Sequence, residues 1–308
     1  MVIVTPFYDD QESFAKLIVD LKAQITSSFR VVVVDDGSLN NPTNKAAYDL
    51  SGLNLDILKL KRNVGHQKAI AIGLNYVQKN YINDGPFVIM DSDGEDSPSS
   101  INLLVESLNE ECVDAVVATR KSRVESYSFL FFYAVYKWIF KILVGRKIDF
   151  GNFIGLSRTS LERVTQMPET WIHFAAAVLV SKVRLRRIPI ARSSRYEGKS
   201  KANFVSQVLH GFRALMVFAE NVLVRVGLAC AFVAIVAVIL MLLAISLKFL
   251  GYATPGWFSV VMGILLLMFL QTGALTLMTL MLTGVVRNGT IQSVDYIEFI
   301  KSVEKING

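Results

Sequence analysis

The chain has 308 residues, 52% of them hydrophobic, with a mean hydropathy of +0.43. That is too apolar for an ordinary soluble domain, and the excess concentrates after Val222, so the length suits one soluble domain joined to a membrane segment. The net charge of +6 comes largely from Lys and Arg between Arg120 and Arg225, which favours an anionic membrane surface or anionic ligands; no nucleic-acid motif accompanies it.

Val2-Ile3-Val4 reads as a short apolar strand broken by Pro6. Asp9 and Asp10 precede an amphipathic helix with Phe14, Leu17, Ile18 and Leu21 on one face. The β-branched run Val31 to Val34 predicts a buried parallel strand and ends in Asp35-Asp36-Gly37-Ser38. A third strand is expected over Leu55 to Leu60, and a helix from Asn63-Val64-Gly65-His66 to about Tyr81. Phe87 to Met90 is a fourth apolar strand, followed by a helix from about Pro98 to Asn109 and a strand from Ala115 to Thr119. Strands alternating with helices predict an α/β domain with a mostly parallel sheet. Beyond it, Asp149 to Phe153 leads into a small strand to Leu156, and Val183 to Ile190 reads as a strand carrying Arg184 and Arg186.

The fourth strand ends in the densest cluster of acids. Asp91, Asp93, Glu95 and Asp96 fall within six residues, with Gly94 among them. Such a group repels itself unless a cation or solvent compensates. Asp91 and Asp93, two apart at a strand end, suit one hard divalent ion, Mg²⁺ or Mn²⁺. A solvated acidic turn, with Asp96 or Ser97 capping the next helix, is the plain structural alternative. Asp35-Asp36 ends a second strand on the same edge of a parallel sheet. One carboxylate there suits a ribose or base while the other pair holds a metal on a diphosphate. For Asp36-Gly37-Ser38 a tight turn is equally expected.

Taken together these motifs resemble family-2 glycosyltransferases with the GT-A fold, a Rossmann-like architecture. Val34-Asp35-Asp36-Gly37-Ser38 matches the family's VDDGS, Asn63-Val64-Gly65 its Asn-x-Gly, and Asp91-Ser92-Asp93 its Asp-x-Asp. Pro6, Tyr8 and Asp9-Asp10 stand where the family has Pro, an aromatic and an Asn-Glu pair. The resemblance implies a nucleotide-sugar site built from Pro6, Tyr8, Asp10, Asp35, Asp36, Asn63, Lys68 and Asp91, with metal on Asp91 and Asp93. The basic stretch from Arg192 to Lys201 resembles the Arg-x-x-Gly-x-Ser-Lys segment of polyprenyl-phosphate glycosyltransferases, here Arg195, Gly198, Ser200 and Lys201. Asp149 to Phe153 resembles their Asp-x-x-x-Phe. This implies an acceptor-phosphate site of Arg120, Arg195, Ser200 and Lys201, and a catalytic set of Asp91, Asp93, Arg195 and Lys201.

Tyr127 to Val144 is strongly aromatic, flanked by basic residues and interrupted by Lys137 and Lys141, which predicts an interfacial helix; a buried core helix is the alternative. Asn203 to Glu220 predicts a second amphipathic helix. Gly227 to Leu247 carries no charge, nor does Phe249 to Val286; Pro255-Gly256 separates two expected spans, the second from Trp257 to near Arg287. A short tail ending in a helix is expected after it. The division is therefore 1–120 for the nucleotide-sugar core, 121–221 for the acceptor-binding and juxtamembrane region, 222–286 for two transmembrane helices and 287–308 for a cytoplasmic tail. The Lys and Arg excess on the domain side predicts both termini in the cytoplasm, most readily at a bacterial inner membrane. Cys112 and Cys230 make neither a zinc nor a disulfide pattern, and MVIVTPFYDD lacks signal-peptide features.

The expected reaction is metal-dependent transfer of a sugar from a nucleotide-diphosphate sugar, a UDP-hexose or GDP-mannose, to a membrane polyprenyl phosphate; the resemblance implies inversion. Alternatives are a processive or hydroxyl-directed family-2 polysaccharide transferase, although Trp171 lacks the Gln-x-x-Arg-Trp context of the former, and a non-catalytic nucleotide-sugar-binding scaffold. A homodimer or tetramer is compatible with an exposed aromatic helix and two spans.

Overall fold

The computed structural model describes residues 1–43, 48, 52–120, 138–191, 193–196, 204–252, 256–288 and 295–307, without the side chains of 120, 204–207 and 286–288. It divides into two compact units.

The first unit is built on one eight-stranded sheet: β1 (Val2–Phe7), β2 (Arg30–Asp35), β3 (Asn54–Leu60), β4 (Phe87–Ile89), β5 (Ala115–Arg120), β6 (Phe150–Leu156), β7 (Leu185–Ile190) and β8 (Ile300–Ile306), in the order β7-β5-β6-β4-β1-β2-β3-β8. Pairings of β1 with β2 and β4, of β2 with β3 and of β5 with β7 are parallel; β6 and β8 run antiparallel to their neighbours. Successive side chains of a strand point to opposite faces. Accordingly Val2, Val4, Val32, Val34 and Leu58 enter one core with Ile70, Leu74 and Val77 of α2 (His66–Tyr81). Ile3, Phe7, Val31, Val33 and Ile57 enter the other, with Phe14, Leu17 and Leu21 of α1 (Gln11–Gln24) and Leu104 of α3 (Ile101–Leu108). Burial on both faces explains why these strands read as continuous apolar runs.

Two expectations are corrected. Pro6 does not end β1; the strand runs to Phe7, with Pro6 in register with Val34. Val2 N–H donates to Pro86 and Val4 O accepts from Met90, so even-numbered residues of β1 address the β4 side. Since β4 ends at Ile89, beside Val4, the absent N–H of Pro6 breaks no ladder bond. The tail does not end in a helix. After a single 3₁₀ turn, Tyr296–Phe299, it forms β8 on the edge of β3, with Lys59 Nζ 2.9 Å from Glu304 Oε1. A seven-residue segment has weak local preference, and the open edge of β3 decides its state.

The helix α2 lies close to the sheet at Gly73. A Cβ there would stand 2.7 Å from Val4 Cγ1 and 2.9 Å from Val34 Cγ2, both on stiff β-branched side chains. Further helices of this unit are α5 (Arg158–Thr165), α6 (Phe174–Val180) and α7 (Phe204–Val217). The buried His173 caps α6: its Nδ1 accepts from Ala176 N–H, which leaves the neutral ring's proton on Nε2, 3.1 Å from His210 Nε2 of α7.

The second unit holds α4 (residues 138–144 as described), α8 (Ala219–Phe249) and α9 (Trp257–Asn288). Residues 121–137 of the expected aromatic helix lie outside the described residues. On α4, Phe140 is buried against Phe218 while Trp138 is exposed, and Arg225 donates to the Ile142 carbonyl. Helices α8 and α9 are each long and apolar enough to cross a membrane and are largely exposed to their surroundings. They meet through small residues: a Cβ at Gly227 would stand 2.8 Å from Thr279 Oγ1, and Ala237 and Ala244 are buried.

Two outcomes follow from this packing. Gly73→Ala should destabilise the first unit by ~1–3 kcal/mol in chemical denaturation, because two valines of adjacent strands would have to shift. Burial and then the neighbouring His210 pull His173 down to about 3. Its folded value thus lies below its unfolded value, so its contribution is complete above about pH 6.5 and is lost as pH falls from there towards 3. At pH 5 the loss should be ~2 kcal/mol relative to pH 7, and His173→Gln should flatten that dependence.

Candidate functional site

The strand order reverses at β1, which has β2 on one side and β4 on the other. In open α/β sheets a crevice forms at such a point, outside the carboxyl ends of the strands. The ends of β2 and β4 carry the two acidic segments that the sequence singles out.

At the end of β2, Asp35 and Asp36 are both buried. Asp35 accepts from Ser38 N–H at 2.9 Å and from the Thr43 amide and hydroxyl at 3.1 and 3.0 Å, so it braces the following loop. Asp36 accepts from Val64 N–H at 2.7 Å and Gly65 N–H at 2.9 Å, tying the end of β2 to the Asn63-Val64-Gly65 turn. Burial pushes the Asp36 carboxyl up, against the pull of those two amides. The glycine between Asp36 and Ser38 is required: at Gly37 φ is +69°, and a Cβ would lie 2.5 Å from the backbone carbon of Arg62. Asn63 and Lys68 are exposed on the turn and on the first turn of α2.

At the end of β1, Tyr8 is exposed and Asp10 caps α1 by accepting from Ser13 N–H. Asp9, at φ +45°, accepts from the amides of Leu39, Asn40 and Asn41, which hold its carboxyl below the usual range. Asp9, named with Asp10 in the resemblance but not among the implied site residues, thus clasps the loop after β2; three donors converging from thirty residues away leave no local signal for that role.

The acidic turn after β4 folds on itself. Asp96 accepts from Asp91 N–H at 3.0 Å, and Asp93 from Glu95 N–H at 3.1 Å. Asp91 Oδ1 lies 3.2 Å from His66 Nε2. Desolvation draws the His66 imidazolium down, but Asp91, with Asp93 and Asp36 behind it, outweighs this and holds it above the ordinary histidine value. Asn152 Nδ2 stands 3.0 Å from the same ring nitrogen. Residues 193–196 lie along the turn as a strap: Ser193 N–H donates to Glu95 O and Tyr196 N–H to Asp93 O. Arg195 places Nη2 3.0 Å from Asp93 Oδ2 and donates from Nε to Glu95 Oε1 at 3.0 Å. Tyr196 donates to Asp20 Oδ2 at 2.6 Å, and burial with that bond pushes its phenol up.

The structure therefore brings Asp91, Asp93 and Arg195 together at one sheet edge, with Asp35 and Asp36 at the neighbouring strand end. Ser200 and Lys201 lie outside the described residues, as does the side chain of Arg120, which ends β5. Pro6 is buried within β1. Among the described residues no group of three or more His, Cys, Asp or Glu forms a ready-made cation cage. Mg²⁺ and Mn²⁺ sites completed by phosphate and water need only one or two carboxylates. The donors of Asp91 and Asp93 are hard oxygens two residues apart at a strand end, so these residues fit such an ion, with Arg195 as its competitor for Asp93. Asp36→Ala would leave two amides of the Asn63 turn without their acceptor; a stability loss of ~1–3 kcal/mol is expected in denaturant titration, and less for Asp36→Asn, which keeps one acceptor oxygen.

Known proteins share this architecture. The uncharacterized glycosyltransferase sll0501 of Synechocystis is 27% identical over 212 residues, covering 66% of this chain and 64% of that protein. Dodecaprenyl-phosphate galacturonate synthase of Rhizobium johnstonii is 27% identical over 212 residues, covering 65% of this chain and 60% of that one. The chain thus spans under two thirds of the length of these two relatives. Glucosyl-3-phosphoglycerate synthase of Mycobacterium tuberculosis, solved with Mn²⁺, UDP and phosphoglyceric acid, superposes with a TM-score of 0.53 at 12% identity over 72% of this chain and 78% of that chain, a likeness of GT-A fold alone. Residues 2–156, just over half of the 308, match the family described as Glycosyl transferase family 2. With that match added to the carboxylate-bearing strand ends, the chain belongs to glycosyl transferase family 2.

Proposed function

We propose that this protein transfers a sugar from a nucleotide-diphosphate sugar, a UDP-hexose before GDP-mannose, to a polyprenyl phosphate in a membrane. The observation that carries the reading is the cationic strap lying on an acidic turn at the carboxyl edge of the sheet. Negative groups for a donor site and a positive group for a phosphate acceptor then share one place. The name of the Rhizobium relative supports the lipid-phosphate acceptor, and α8 and α9 supply helices of membrane-spanning length.

Asp91 and Asp93 would hold a divalent ion, which when bound supplies Lewis-acid stabilisation of the departing nucleoside diphosphate. Around the strand ends, Asp36 fixes the Asn63 turn and Asp35 the loop after β2, so that the donor meets a preset surface. Arg195, with Lys201 and Ser200 following it in sequence, is assigned to the acceptor phosphate, and Arg120 at the end of β5 assists. A phosphate monoester is largely dianionic near neutral pH, its second pKa being about 6. Its oxygen therefore attacks the anomeric carbon without a strong general base. The new bond forms as the bond to the diphosphate oxygen breaks, the electron pair leaves with the nucleoside diphosphate, and the anomeric configuration inverts. By the positive-inside rule the catalytic unit and both termini lie in the cytoplasm.

Purified protein should convert a polyprenyl phosphate to its monoglycosylated form in the presence of Mg²⁺ or Mn²⁺ and one member of a nucleotide-sugar panel, read by mass spectrometry of the lipid fraction. Asp91→Asn should lower that rate about 100-fold or more. Release of free sugar with no glycolipid from any donor would eliminate the lipid-acceptor reading.

A further inference from the structure

Among the described residues, the contacts that hold the strap lie within the first unit, and the one to α1 is made by a pair that the reaction itself does not require. We propose that Tyr196 and Asp20 are positioning residues for the acceptor phosphate: their hydrogen bond anchors the strap to α1 and so fixes the direction in which Arg195 presents its donors. This rests on the transferase reading above.

The geometry of Arg195 supplies the first step. Its Nε is bonded to Glu95 and its Nη2 to Asp93, so the two acids take one edge of the planar guanidinium. A guanidinium offers a second edge, turned in its own plane from the first, through Nη1 and the other Nη2 hydrogen, whose two parallel N–H bonds suit two phosphate oxygens. Among the described residues no partner takes that edge. The acids thus orient the arginine, and the direction of the open fork follows from where the strap runs.

What holds the strap is the second step. On the side of the turn it has two backbone bonds, at Glu95 and Asp93. On the side of α1 the Tyr196 ring packs against the core of that face, but a cavity of about 370 Å³ lined by Lys16, Asp20, Gln24 and Ser194 among others leaves this packing incomplete. The 2.6 Å bond from the Tyr196 hydroxyl to Asp20 crosses that side. The ring is seated by a matching absence: at Gly94, φ +86°, a Cβ would lie 2.4 Å from Tyr196 Cδ2. Asp20 sits on a long helix whose Leu17 and Leu21 are core residues, so the anchor point is rigid. A hydrogen bond from a phenol to a carboxylate is stronger than one between neutral groups, which suits a crosspiece.

The test uses the full chain in detergent with a short polyprenyl phosphate as acceptor. Tyr196→Phe keeps the ring on Gly94 and deletes only the hydroxyl. It should raise the KM for the acceptor about tenfold while leaving kcat and the donor KM near their original values. Asp20→Ala should match it, the double variant should be no worse than either alone, and Asp20→Asn, which keeps an acceptor oxygen, should restore most of the affinity. Limited trypsin digestion gives a readout apart from activity: cleavage after Arg195 should quicken in Tyr196→Phe and Asp20→Ala. An unchanged acceptor KM, additive losses in the double variant, or unchanged cleavage would overturn the proposal. If the parent protein makes no glycolipid, the transferase reading fails instead, and the digestion arm alone decides whether the pair anchors the strap.

Discussion

The constraint on which the rest of this structure depends is the repulsion among carboxylates gathered at one sheet edge. Asp35 ends β2, Asp36 follows it, and Asp91, Asp93, Glu95 and Asp96 follow the end of β4. Two unit charges 4 Å apart near a protein surface repel by about 4 kcal/mol, a large fraction of a domain's whole stability. Asp91 faces the His66 ring, and the other five acids are met by fixed donors. Backbone amides serve Asp35, Asp36 and Asp96, and a guanidinium serves Asp93 and Glu95. The loops at this edge take the paths they do largely because those donors must reach those oxygens.

The same electrostatic need links fold to function. A turn that demands positive charge when nothing is bound is the turn to which the proposed cation and diphosphate are assigned. The strap that brings Arg195 to it places a guanidinium beside it. Stability and chemistry draw on one charge balance, so the site is held by hydrogen bonds and ion pairs rather than by a deep apolar pocket. The apolar work is done elsewhere, in the two cores on either face of the sheet, and at Gly73, where α2 comes close enough to hold the Asn63 turn against Asp36.

In the second unit the balance is reversed. Helices α8 and α9 are apolar nearly all round, and the few described residues they bury include the small Gly227, Ala237 and Ala244 of α8 with Leu265 and Thr279 of α9. Hydroxyls of Thr272, Thr276, Thr279 and Thr283 bond back to carbonyls of their own helix, so these polar atoms are satisfied without a partner outside α9. Such a pair is suited to lipid and poorly suited to water.

Much of this was legible in the amino-acid sequence, because the deciding signals were local. Four Val in a row, an Asp-Gly turn, and two long uncharged runs each announce their state within ten or twenty residues, and β2, α2, α8 and α9 form where those patterns stand. The acidic strand ends were legible for the same reason, since carboxylates confined to six residues need no third dimension to be noticed. Tertiary structure alone decided the rest. β8 is a strand because β3 leaves an edge open 240 residues earlier in the chain, and Pro6 stays in β1 because β4 is short. Asp9 closes the loop after β2, Arg195 is held by acids 100 residues away, and the neighbouring Tyr196 reaches Asp20. These are pairings between distant segments, whose energy depends on distances that only the folded chain establishes.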